Sequence, residues 1–77
     1  MAKYQVDAKQ AVQVEKAFTY HAPKEGQPAR YTAIRDAAKA LAVLIVTETP
    51  VSREQSLALT KLEEAVMWAN AAIARNE

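Results

Sequence analysis

TETPVSREQ, residues 47–55, is the stretch on which the fold turns. Pro50 cannot continue a helix, because its ring clashes with the preceding turn and it has no N–H to donate, so a helix arriving from upstream must end near Thr49. Ser52-Arg53-Glu54-Gln55 has the spacing of a capping box, with Ser52 as the cap and Gln55 three residues on, so a new helix starts at once. Only Pro50 and Val51 are left to connect the two. A link this short forces the helices to lie antiparallel, as an αα-hairpin.

Both flanks carry the periodicity that such a hairpin needs. Upstream, Ile34, Ala38, Leu41, Ile45 and Glu48 recur at spacings of 4, 3, 4 and 3, with Ala37 and Leu44 widening the stripe. Pro28 suits a first helical position, so this helix is predicted over 28–48, about 31 Å long at 1.5 Å per residue. Downstream, Leu59, Leu62, Val66, Ala69 and Ile73 form a heptad seam on a helix predicted over 53–75, where Arg75 suits the C-terminal dipole. Before the hairpin, Ala11, Val14 and Phe18 fall at helical spacing, with Asp7 as a first-turn acid, and predict a short helix over 5–17. About 13 residues are marginal as an isolated helix, so this one must pack on something. The expected class is all-α, one helical domain over 1–77: a short N-terminal helix, then a long antiparallel αα-hairpin.

A chain of 77 residues hides little of its surface and needs outside support. It has no cysteine, hence no disulfide and no thiolate metal site, and its one histidine cannot build a zinc site without other ligands. Oligomerisation is the support that remains. Val43, Leu57, Met67 and Trp68 fall outside a single seam and point to a second contact face, so hairpins are expected to pack on one another as a homo-oligomer. Ten Lys/Arg against nine Asp/Glu give a net charge of +1, which argues against duplex DNA and membrane surfaces as partners. The longest apolar run, Ala40 to Val46, is far short of the roughly 20 residues a bilayer needs. Lys3, Asp7 and Lys9 interrupt the N-terminus where a signal peptide would be apolar, so a soluble intracellular protein is expected.

Catalysis is hard to assemble from these residues. Histidine, the residue type best suited to proton transfer near neutral pH, occurs once, at His21. There is no Gly-rich phosphate loop, no HExxH and no nucleophile elbow. Glu63 and Glu64 are adjacent on a helix, point about 100° apart and read as a solvated face. Binding is easier to argue. AFTYHAPKEGQPARY, residues 17–31, gathers two tyrosines, the only histidine, the only glycine and two of the three prolines on one joint. Tyr20 and Tyr31 flank it, and Lys24 and Arg30 sit in it. Tyr31, Arg35 and Lys39 share one helix face at i, i+4 and i+8. An aromatic plate near cations can stack a base and neutralise a phosphate, and a helix N-terminus near Gln27 and Pro28 offers N–H groups to an anion. Plainer readings stand beside this one. The tyrosines pack with wet hydroxyls, His21 bonds locally, Arg35, Asp36 and Lys39 form a solvated face, Trp68 anchors a core or interface, and Arg75 caps its helix. On residues alone the chain is a small helical oligomer suited to an anion.

FTYHAPK, residues 18–24, and SREQSLALTKLEEAVMWANAAIARN, residues 52–76, resemble the phage anti-CBASS type-two protein family, sponges for cyclic oligonucleotides. The shared pattern is F-x-Y-H-x-P, an alanine-rich helix with an arginine in its first turns, then SREQSLALT and WANAxIAR. It covers roughly residues 16–76. The resemblance implies a helical hairpin related to that of a Thoeris-inhibiting sponge, assembled as a hexamer. It implies binding, without cleavage, of cyclic dinucleotide and trinucleotide messengers of CBASS immunity (cyclic GMP–AMP, cyclic di-AMP and cyclic tri-AMP types) in separate pockets, each built by more than one chain. It implies no cofactor and no enzyme activity, and places the protein in the cytoplasm of the infected bacterial host. The stacking tyrosine of the family maps onto Tyr20, its basic dinucleotide contact onto Arg35, and its trinucleotide arginine onto Arg75. Lys24 and Lys39 join the dinucleotide set on charge and position alone. A small helical adaptor using the Trp68 face, and a DNA-binding regulator, are the alternatives.

Overall fold

The computed structural model of the chain describes residues 3–77. Among these residues it forms three helices, α1 (Ala8–Phe18), α2 (Gln27–Glu48) and α3 (Arg53–Asn76), and no strand. α2 and α3 pack antiparallel along the hairpin and make the one extended helix–helix contact among the described residues.

The turn is built as a double staple. Thr49 closes α2, its N–H and its hydroxyl both donating to the Ile45 carbonyl, at 3.1 and 2.6 Å. Ser52 Oγ accepts from the Gln55 N–H at 3.1 Å and starts α3. The reciprocal arm of the expected capping box goes elsewhere. Gln55 Nε2 donates to the Thr49 carbonyl and hydroxyl, both at 3.0 Å, and so ties the start of α3 to the end of α2. One glutamine thus serves two helix ends, its backbone N–H being capped at the start of α3 and its side-chain amide bonding the end of α2.

α1 starts at Ala8 rather than at residue 5, because Asp7 is its cap and not a first-turn acid. Asp7 Oδ1 accepts from the Gln10 N–H at 2.7 Å, while Gln10 Oε1 accepts from the Asp7 N–H at 3.2 Å. This capping box holds Asp7 extended and stops helical propagation further upstream. At the other end, His21 Nε2 lies 2.9 Å from the Lys16 carbonyl, one of the last-turn carbonyls with no helical partner. α2 starts one residue before Pro28, and its cap, Gly26, sits at φ 82°, a left-handed conformation that costs glycine nothing.

The stripe that α2 turns toward α3 drifts from the expected one. Tyr31, Ile34, Ala38, Ala42 and Ile45 are half-buried, while Leu41 is 45% exposed and Glu48 is exposed. A straight helix of 3.6 residues per turn rotates away from a strict heptad, so Ala42 replaces Leu41 in the seam. The core is correspondingly thin. Ile73, at 7% exposure, is the one buried apolar residue among those described. Val43, Met67 and Trp68 stand in solvent. The chain spans 52 × 36 × 15 Å, a single layer of helices. Its accessible surface is 6,525 Å², against about 4,700 Å² for a compact monomer of 8.5 kDa. A single layer with apolar residues on both sides has no second layer to bury them against. No helix is long and apolar enough to cross a membrane among the described residues.

Candidate functional site

The α2–α3 seam has a groove on each side. One, of about 470 Å³, is walled by Arg35, Ala38, Lys39 and Ala42 of α2 and by Leu59, Leu62, Glu63 and Val66 of α3. Its floor is apolar and its rim is charged. Arg35 and Lys39 stand one helical turn apart, with Glu63 contributed from the opposite helix. The other groove, of about 310 Å³, shares Ala38, Leu62 and Val66 but is otherwise lined by Ile34, Ala37, Leu41, Ala65 and Ala69, with no charge at all. The alanines of α2 make both grooves, since a side chain of one carbon leaves the space that a leucine would fill.

The anticipated Tyr31–Arg35–Lys39 face is divided. Arg35 and Lys39 meet in the charged groove, whereas Tyr31 is half-buried and does not line it. Tyr20 lies on the joint between α1 and α2, 83% exposed, outside both grooves. Lys24 and Arg30 are both exposed, and both contact Glu77. Lys24 Nζ donates to the Glu77 carbonyl, and Arg30 pairs with Glu77 Oε1 at 2.7 Å. Gln27 Nε2 donates to the same carboxylate at 3.3 Å, and its Oε1 accepts from the Lys24 N–H at 2.9 Å. The hydrogen bond from Arg30, then that from Gln27, holds the Glu77 carboxyl below the usual glutamate range. The same hydrogen bond, with the negative charge of Glu77, raises Arg30 above its ordinary value.

Gln27 and Glu77 are the residues that sequence reasoning missed. They lie 50 positions apart and share no local pattern. The one available signal was the hairpin register, since a chain folded at Pro50–Val51 returns the end of α3 to the start of α2. Arg75 and Trp68, read separately from sequence, are partners: the Arg75 guanidinium lies 5.9 Å from the Trp68 ring centroid, a cation–π contact worth about 0.5–1 kcal/mol at an exposed site. Glu63 and Glu64 diverge as their spacing requires, Glu63 to the groove and Glu64 to Lys61 at 3.1 Å. Among the described residues no three His, Cys, Asp or Glu side chains are placed to share a metal ion.

The arrangement offers two cations over an apolar floor, an exposed aromatic plate on a neighbouring joint, and a separate arginine stacked on an indole. The family model described as Acb2/Tad1, hairpin domain, matches residues 10–74, which takes in most of α1, all of α2 and the turn, and nearly all of α3. No curated protein and no solved structure matches the chain.

Proposed function

The chain belongs to the Acb2/Tad1 hairpin-domain family, and on that footing we propose that it is a phage anti-defence sponge, binding the cyclic dinucleotide and trinucleotide messengers of CBASS immunity and withholding them without cleavage. Its setting is the cytoplasm of the infected bacterium, where those messengers act. The observation that carries this reading beyond family membership is the charged groove. Its volume of about 470 Å³ falls among ligand sites of roughly 300–1,000 Å³. A cyclic dinucleotide presents two phosphates and two flat bases. Arg35 suits a phosphate because its planar fork can donate two parallel hydrogen bonds, and Lys39, one turn on, adds a second positive charge. The apolar floor accepts the base or sugar faces.

Tyr20 is outside the groove of its own chain, so in this proposal it stacks a base in the groove of a neighbouring copy. A homo-oligomer then completes the site, and a hexamer is the assembly we favour. A symmetric ligand gains from symmetric chains, because each repeat unit meets the same groups. Lys24 has the weaker claim to a phosphate, being engaged by Glu77. Arg75, beside Trp68, serves the trinucleotide in a second pocket. Binding without chemistry fits a residue set whose one histidine turns its Nε2 to a backbone carbonyl.

Isothermal titration with cyclic GMP–AMP, and separately with cyclic tri-AMP, tests the proposal when combined with recovery of each nucleotide after denaturation. Tight binding of both with intact recovery supports it. Cleaved product, or no binding to either by an intact oligomer, overturns it. The exposed Met67 and Trp68 face favours a second reading, an adaptor for a partner helix. Co-purification of one stoichiometric protein, with no nucleotide bound, would select that reading.

A further inference from the structure

Tyr20 sits on a joint whose attachment to the hairpin depends on very few groups. Between Phe18 and Gln27 there is no helix, and α1 buries no residue of its own. Three ties are local: the Thr19 hydroxyl to Glu15 Oε1 at 3.1 Å, His21 to the Lys16 carbonyl, and the 24–27 turn, closed by the Gln27 N–H to the Lys24 carbonyl at 3.1 Å. Among the described residues, every hydrogen bond that carries α1, the joint or the first turn of α2 across to α3 ends on two consecutive residues. Lys16 Nζ donates to Asn76 Oδ1 at 3.1 Å, while Lys24, Gln27 and Arg30 all converge on Glu77. Gln27 is the keystone. At 4% exposure it is the one buried polar residue among those described, and its amide bonds the joint with the oxygen and Glu77 with the nitrogen.

We propose that Glu77 is a positioning residue. Its carboxylate, gripped by Arg30 and Gln27 of α2, fixes the Gln27 amide whose oxygen accepts from the Lys24 N–H; through that amide it clamps the Tyr20-bearing joint onto the open end of the hairpin, and so raises affinity for a phosphate ligand that its own charge repels. The proposal rests on the reading of Tyr20 as the stacking residue. The opposed signs make it testable. Were Glu77 merely a negative charge near the site, neutralising it would strengthen the binding of an anion and release Arg30 to contact phosphate. As a clamp it does the reverse: an unclamped joint must be ordered again when ligand binds, which weakens binding.

The experiment has two arms on the full chain, each with Glu77→Gln, Glu77→Ala, and the reversed pair Arg30→Glu with Glu77→Arg. The first arm needs no ligand. Amide hydrogen exchange over 19–26 is expected to speed up by about threefold or more in both single variants, with the 44–56 turn unchanged and the reversed pair restoring protection. Unchanged exchange over 19–26, or equal loss along the whole hairpin, overturns the clamp. The second arm is titration with cyclic GMP–AMP, where weaker binding by both single variants and recovery by the reversed pair is expected. Tighter binding by Glu77→Gln overturns the positioning role. If the unsubstituted protein binds no cyclic nucleotide, the functional reading fails, while the exchange arm still decides the clamp.

Discussion

The thin core makes association the sharpest prediction. The surplus of exposed surface over a compact monomer is roughly 1,800 Å² per chain, as much as a standard stable interface buries in total. The perturbation is dilution, which requires no substitution and no knowledge of the contact face. If folding is coupled to association, each tenfold dilution removes about 0.7 kcal/mol per chain from a dimer and about 1.1 kcal/mol from a hexamer. For 77 residues the unfolding entropy is about 160 cal/mol/K, from roughly 2.1 per residue. The thermal midpoint should therefore fall by about 4 °C per decade for a dimer and about 7 °C for a hexamer. Thermal unfolding followed by circular dichroism from 1 to 100 µM (about two decades), with sedimentation for the mass, reads both presence and order of assembly. A midpoint independent of concentration, at the mass of a single 8.5 kDa chain, would refute the reasoning that the exposed apolar faces belong to an interface.

Three further outcomes follow from particular residues. Tyr20→Ala should weaken cyclic GMP–AMP binding by about 5- to 150-fold per stacked base, while the thermal midpoint barely moves because Tyr20 is exposed; unchanged affinity by calorimetry would remove Tyr20 from the site. Ser52→Ala deletes the acceptor for the Gln55 N–H and should cost about 1 kcal/mol, or about 6 °C at fixed chain concentration; an unmoved midpoint would show that the Gln55–Thr49 staple alone holds the turn. The Glu77 clamp should depend on pH with a definite sign. Its carboxyl is held below the ordinary range, chiefly by Arg30, so the contribution is fully present above the unfolded value, about 4.3, and is lost as pH falls through the lower folded value. Exchange protection over 19–26 should hold from pH 7 to about 5 and disappear well below 4, a step that Glu77→Gln should lack; a loss centred near neutrality would implicate another group.

The sequence by itself determined the helices and the way they turn back. Pro50, the Ser52 cap and the alternating apolar spacing are local signals, since each acts within about one helical turn, and for that reason α2 and α3 begin and end within a residue of where those signals place them. Asp7 was visible as an acid near a helix start, but whether it caps or enters the first turn depended on Gln10 reaching back. Arg35 and Lys39 were legible as one face, being fixed by helical periodicity alone. Only the tertiary structure decided what those faces meet. Packing two real helices shifted the seam from Leu41 to Ala42, opened a charged groove on one side and an uncharged one on the other, and left Tyr20 outside both. It also joined Lys24, Gln27 and Arg30 to Glu77, and Trp68 to Arg75. The first of these contacts spans about half a hundred positions and depends on hairpin register to within an ångström or two; the second depends on rotamers. Neither is encoded in any short window, because side-chain hydrogen bonds and cation–π contacts are set by distance in space, and the spacing of residues along the chain constrains that distance only within a helix.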